Sequence, residues 1–305
     1  MAFLDQINVN VGTEDNPSFV LHDIHDKRFS STAVTTATHL LATDASLSAI
    51  NPMTIANAAS VLGETLLTRR TRLTDFDLSI LKQAVSEQNL ERYGLRVGDQ
   101  KTINGRTYVI AGLNPMKGTS TPYRLTQNHV GLIVIPHVTQ NWNESGNTYT
   151  GADGRGAGYA NSDLHYYLTN TLLPLVQSDL GSANLLSHSK LLSSAVNQTG
   201  TNKMGSATGC SSGWIWVANQ YISALSEVQV YGSTVWSSSG FDTGEACRQL
   251  DVFRVYNNTE IFGGEYPWLR DVVSASTAAI ADGSGDASYD PASIARCVAA
   301  LVLFN

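Results

Sequence analysis

The sequence predicts an α+β fold, and three observations carry that prediction. Short apolar stretches are bounded by turn residues, as strands are. Other stretches show helical spacing behind a capping residue. No internal repeat of fixed period appears, and strands and helices do not alternate strictly, which argues against a parallel α/β sheet. At 305 residues and 42% hydrophobic content, the chain has core for two domains, or for one large domain with an extension.

Residues 1–87 differ in texture from the rest. They hold no Trp, no Cys and no Tyr, and are rich in Thr, Ala, Ser, Asn and Asp. Asn51-Pro52 fits an N-cap followed by Pro at the first helical position, so a helix is expected over 52–67. Asp75 to Val85 is a second helical candidate, expected at the surface because Glu87 and Glu91 put like charges on one face. A region so poor in aromatic mass buries little surface alone. It reads as a mostly helical and extended attachment or oligomerisation region, with a second domain over 88–305.

From Leu95 onward the strand signals are stronger. Asn104-Gly105 is a two-residue hairpin signal, followed by a strand from Thr107 to Ala111. His129 to His137 suits a buried central strand. Asn141 to Gly158 reads as a long polar loop containing Trp142. Ser162 caps a helix beginning at Leu164, which Pro174 ends or kinks. Trp214 to Val217 and Val228 to Tyr231 read as strands around a short helix start, and Leu250 to Tyr256 as a half-buried element. Cys297 to Phe304 has the length and Val/Leu content of a buried closing strand. Between it and Trp268-Leu269 lie almost only small and polar residues, which read as loops and short strand ends held between two packed anchors.

Composition excludes several functions. A net charge of −7 and a pI near 5.4 leave no basic face for nonspecific nucleic-acid binding. No run of eighteen apolar residues exists to span a membrane, and MAFLDQINVNVG lacks the pattern of a secretory signal. Charged residues make up 15%, against ~25% in typical soluble domains, with Ser, Thr, Asn and Gly in their place. Cys210, Cys247 and Cys297 are too few for a disulfide framework and are expected to be buried thiols.

Chemical motifs are weak. His22 and His25 bracket Asp23, but an obvious third metal ligand is missing. Asp282-Gly283-Ser284-Gly285-Asp286 opens like a calcium loop, yet Ser293 stands where the pattern needs Glu, so turn residues are the better reading. No G-x-S-x-G, Walker A or G-x-G-x-x-G motif is present, and 151–156 is only Gly-rich. No catalytic residue, metal or cofactor is therefore expected. Trp214, Trp216, Trp236 and Trp268 are expected in the core. Trp142, in its polar loop, is the one tryptophan expected to be available for stacking.

The chain's end, with Trp268-Leu269-Arg270, a small-residue polar stretch, Arg296-Cys297-Val298 and a final apolar strand, resembles a C-type-lectin-like domain. The version it is similar to occurs in virion proteins of phages of gut bacteria, some of them diversified by retroelements, as in the major tropism determinant class. The resemblance runs back through 244–254, 221–232, 182–194, 158–168 and 88–99. It implies a C-type-lectin-like domain over 88–305, displayed on the particle surface; the aromatic-poor first 87 residues are what predicts a homo-oligomer, most simply a trimer. The implied function is adhesion to a host-surface receptor, glycan or protein, as in a tail fibre, with other virion proteins as further partners and no enzyme activity. Synthesis would be in the host cytoplasm. A decoration protein without a ligand is the alternative, followed by an enzyme of the sulfatase-modifying type, which uses reactive cysteines. The resemblance also points to a ligand-facing surface within 265–294, with Tyr266, Asp271, Thr277, Ala279, Asp282, Ser284, Asp286, Tyr289, Asp290 and Ile294 as candidates. Such residue types arise when adenines of Asn codons are replaced, the substitution spectrum these retroelements leave.

Overall fold

The structure is a computed structural model. It describes residues 71–118, 125–148, 158–194, 214–237 and 248–305, together with four strands nearer the N-terminus. The chain divides into two compact units, Met1–Thr71 and Arg72–Asn305. Both strands and helices are present, so the fold is mixed α and β.

In the first unit, β1 (Gln6–Asn10) pairs antiparallel with β2 (Phe19–Asp23), and β3 (His39–Thr43) with β4 (Ile50–Thr54). Pro52 therefore lies in a strand, opposite Leu41, and does not open a helix. Each sheet has only edge strands, where a residue without an N–H is tolerated. The rest of the expected 52–67 helix, from residue 55, lies outside the described residues.

The second unit begins earlier than residue 88. Helix α1 (Leu78–Ser86) is capped by Asp77, whose carboxylate accepts from Ser79 N, and it buries Leu81, Ala84 and Val85. Ahead of it, Leu73 N donates to Asp99 Oδ1 and Gln100 N donates to Leu73 O. The helix lies at the surface with one face open, Ser79, Lys82, Gln83 and Ser86 being exposed together with Glu87 and Glu91 beyond it, while its apolar stripe packs inward. A short 3-10 turn, Glu91–Tyr93, follows and stops at Gly94.

The main sheet is antiparallel throughout. Strand β5 (Gln100–Ile103) turns at Asn104-Gly105 into β6 (Arg106–Leu113), and both turn residues have positive φ, as the hairpin signal requires. Next to β6 lies β7 (Val130–Ile135), and β7 pairs with the closing strand β17 (Ala300–Phe304). Strand β8 (Thr139–Asn141) leaves this sheet to pair with β16 (Ala295–Cys297). The two short strands β9 (Leu185–Leu186) and β12 (Ile222–Ala224) also pair with β17. Strands β7 and β17 are buried along their whole length. Their side chains alternate between two cores, with Val130, Leu132 and Val134 on one face and Ile133 and Ile135 on the other. Cover on both faces is why these strands read as unbroken apolar runs.

One face is covered by a helical run from α2 (Asp163–Tyr167), capped by Ser162, through a π-helical segment Leu168–Leu172 into α3 (Leu173–Leu180). Leu164, Leu168, Leu172, Val176 and Leu180 are all buried in the same core. Four residues overshoot one 3.6-residue turn, so such a stripe drifts round a regular helix. The wider π turn slows that drift, and it accommodates Pro174, which has no N–H to give. The helix consequently continues past Pro174.

The opposite face is covered by α4 (Glu227–Tyr231), α5 (Asp251–Val255) and α6 (Asn258–Phe262). The expected strand at 228–231 is thus a helix. Ser226 and Gln229 form a reciprocal capping box that decides it, and five residues are too few for apolar period to do so. Strand β10 (His188–Ser193) pairs with β11 (Trp214–Gln220). Last, β13 (Trp268–Val272), β14 (Thr277–Ala281) and β15 (Ala287–Pro291) form a three-stranded antiparallel sheet. The segment expected as loops and short strand ends thus holds three full five-residue strands.

Two buried indoles tie this small sheet to the chain beside β8. Trp142 Nε1 donates to Leu269 O at 3.1 Å, and Trp268 Nε1 donates to Gln140 O at 2.7 Å. Trp142 is fully buried, so it is not a stacking platform; its indole finds its partner inside the fold despite its polar neighbours in sequence. Among the described residues, no helix is long and apolar enough to cross a membrane.

Candidate functional site

Strand β15 is the free edge of the small sheet, and the exposed side chains of the 265–294 segment gather around it. A tight turn joins β14 to β15. Asp282 N donates to Asp286 O, and the Asp282 carboxylate accepts from both the backbone N and the hydroxyl of Ser284. Those Ser284 bonds hold the Asp282 carboxyl below its ordinary value. Asp282 and Ser284 are thus engaged with each other as turn residues.

Tyr266 stands at one side of this turn. A Cβ on Gly283 would meet the Gly264 carbonyl first, and then the Tyr266 ring at 3.0 Å, so the glycine lets both approach. The Arg296 guanidinium lies over the Tyr266 ring, 5.3 Å from its centroid, and donates through Nε to Asp290 Oδ2 at 2.6 Å. Tyr266, Arg296 and Asp290 therefore form one contiguous group. Cys297 lies next to it, half-buried, with Sγ donating to Glu265 Oε2. Burial, followed by the Glu265 carboxylate, pushes this thiol up to about 11. A thiol so held is largely protonated near neutral pH and is a poor nucleophile.

On the other side, Tyr289 and Trp236 meet edge to face, with ring centroids 4.8 Å apart. Both are exposed, at 42% and 44%. The Trp236 indole donates to Ala287 O and the Tyr231 hydroxyl to Asp286 O, so two side chains occupy backbone acceptors at and just before the start of β15. Burial pushes the Tyr231 phenol up. Covering an edge in this way protects it from pairing with other chains.

The remaining candidates divide. Ile294 is exposed beyond the end of β15, Asp286 is exposed at its start, and Thr277 is half-buried, its hydroxyl bonded to that of Ser274. Ala279 has no exposure and belongs to the second core, so it cannot face a ligand; its neighbours Ala278 and Ile280 lie in the first core, so both faces of β14 are covered. Asp271 serves the fold, its carboxylate accepting from Glu227 N at the start of α4. Trp236, expected in the core, is exposed at this surface, and the buried Glu227 lies beneath it. Polar flanks surround both Trp142 and Trp236, so composition cannot tell which indole is buried.

Among the described residues, no group of three or more His, Cys, Asp or Glu is placed to hold a metal ion. His22 lies in β2, described by its backbone alone. His25, Cys210, Cys247 and the 151–156 stretch lie outside the described residues.

No family model matches the chain, and neither a curated protein nor a solved structure matches it.

Proposed function

We propose that the chain is a phage virion protein whose C-terminal unit, of the C-type-lectin-like kind, binds a receptor on the host surface. The first unit attaches it to the particle and gathers it into a homotrimer. The observation that carries this reading is the pair of exposed aromatic rings in contact, Tyr289 on β15 and Trp236 on a turn beside it, next to a strand, β14, whose side chains enter two buried cores. Exposed aromatics on a rigid support lose little entropy on binding, and such residues dominate binding energy. Tyr266, Arg296 and Asp290 extend the face, and Ile294 lies beyond the end of β15. Three copies on one stem would turn a weak single contact into firm attachment. The state of Cys297, protonated beside Glu265, speaks against the enzyme alternative at this thiol.

The test is retention of the labelled full-length protein by a panel of gut bacterial strains. At least one strain is expected to retain it. Replacing Tyr266, Tyr289 and Asp290 together by Ala is expected to abolish retention at an unchanged melting temperature. Asp271 is left intact because it supports α4. Retention by no strain overturns the reading and leaves a decoration protein. Equal retention of the triple variant removes the site.

A further inference from the structure

Trp236 lies thirty residues before the candidate segment, yet it is mounted on it. The mount is the Glu227 carboxylate, which is completely buried. One oxygen accepts from Trp236 N at 2.9 Å; the other accepts from Val235 N at 3.1 Å and Ser237 N at 3.0 Å. Glu227 is itself held from behind, its own N donating to Asp271 Oδ2 at 2.7 Å. A chain of short bonds thus runs from β13 through α4 to the turn that carries Trp236. From the far side, the indole bond to Ala287 O and the contact with Tyr289 fix the ring. A buried carboxyl group with three backbone donors is costly to assemble, and it pins the turn in one geometry. The residue it displays is a half-exposed tryptophan, with Val235 beside it 51% exposed.

We infer that Trp236 is the anchor by which this face grips an apolar side chain of a protein receptor, and that Glu227 is the residue that positions it. The inference rests on the proposed binding role of the unit. The chemistry left open to a partner decides its class. Four described polar groups around the rings are engaged within the fold. The Trp236 N–H is bonded to Ala287, the Tyr231 hydroxyl to Asp286, Arg296 to Asp290 and Ser284 to Asp282. A polyhydroxylated glycan needs polar groups fixed against its hydroxyls. An apolar side chain needs carbon surface, which the rings of Trp236 and Tyr289 and the aliphatic Val235 supply. Trp, Tyr and Arg are also the residue types that carry most energy at protein interfaces.

The experiment uses the full-length chain and a gut strain that retains it, with cells untreated, treated with proteinase K, or oxidised with periodate. Proteinase K is expected to abolish retention, and periodate to leave it. Trp236→Ala is expected to lower retention more than tenfold at an unchanged melting temperature, with Trp236→Phe between it and the wild type. Glu227→Gln is expected to lower retention as well, and to increase acrylamide quenching of Trp236, read as the difference from the same chain carrying Trp236→Phe. A purely structural role would leave that quenching unmoved. Should Glu227→Gln unfold, Asp271→Asn loosens the same mount one bond further back and takes its place. Wild-type retention of Trp236→Ala overturns the anchor, and unchanged quenching overturns the positioning role. Loss of retention with periodate but not proteinase K makes the partner a glycan and overturns its assigned class. If no strain retains the wild type, the binding role itself falls; if the wild type is retained and Trp236→Ala equally so, only this inference falls.

Discussion

His188 shows how a single side chain writes pH dependence into the fold. It is buried on β10, and neither ring nitrogen has a hydrogen-bond partner. Burial first, then the cations Lys190 and Arg270 together with His129, hold its imidazole well below the ordinary value of 6.5. His129 is lowered as well, again chiefly by burial. In the unfolded chain both titrate near 6.5, so below that pH the unfolded state binds protons that the native state refuses. Stability is therefore full above about 6.5 and falls as pH drops below it, by up to about 1.4 kcal/mol per pH unit for each histidine. Asp179 acts in another window. Burial would raise it, but bonds from Arg106, Tyr108 and Asn104 hold its carboxyl below the usual range, so its contribution is lost only at lower pH. The melting temperature is expected to fall between about pH 7.5 and about pH 5, and His188→Leu to make that fall shallower. Thermal melts of both proteins across the range check this, and parallel curves would refute it.

At the scale of elements, two glycines with nearly the same φ differ in what a side chain would cost. Gly105 in the β5–β6 turn has φ +78°, and a Cβ there would meet nothing within 4 Å. Gly105→Ala is expected to cost about 1–2 kcal/mol, the conformational penalty alone. Gly158, at the entry to the helical run, has φ +80° with ψ 176°, a combination essentially confined to glycine, and its Cβ would lie 2.5 Å from Ser193 O. Gly158→Ala adds crowding against backbone and is expected to cost about 1–3 kcal/mol more. Urea unfolding of the two variants compares them directly; equal midpoints would discard the argument. The contrast also marks what was legible in the sequence. The Asn104-Gly105 hairpin, the central β7, the Ser162 cap and the closing β17 could be read because each is fixed by a few neighbouring residues. The helix at 227–231 could not, since a capping box overrode a strand-like pattern of five residues. The mount of Trp236 was out of reach for another reason: Glu227, Asp271 and Ala287 meet only when β13, β15 and α4 are assembled.

For the molecule as a whole, the decisive boundary is the one between residues 71 and 72. Sequence texture placed it at 87, because aromatic residues become frequent only after that point. Packing places 72–87 with the second unit, where Phe76, Leu81, Ala84 and Val85 lie in the same core as β7 and the helical run. Lys101 Nζ bonds Asp75, and Asp99 accepts from Leu73 N, so the first residues of the unit are tied to β5. Removing this segment exposes the surface against which Phe76, Leu81 and Val85 were buried. At about 1.5–3 kcal/mol for each large side chain the loss comes to about 5–9 kcal/mol. That is comparable to the whole stability of an ordinary domain, about 5–15 kcal/mol. A fragment of 72–305 is therefore expected to fold with one cooperative transition, whereas a fragment of 88–305 is expected to aggregate or to melt at a much lower temperature. The same fragments test the proposed trimer, because the assembling role is assigned to the first unit. Light scattering is expected to give a trimer for the full chain and a monomer for 72–305. A monomeric full chain would remove the trimer, a trimeric 72–305 would move its interface into the second unit, and equal melting of the two fragments would return the boundary to 87.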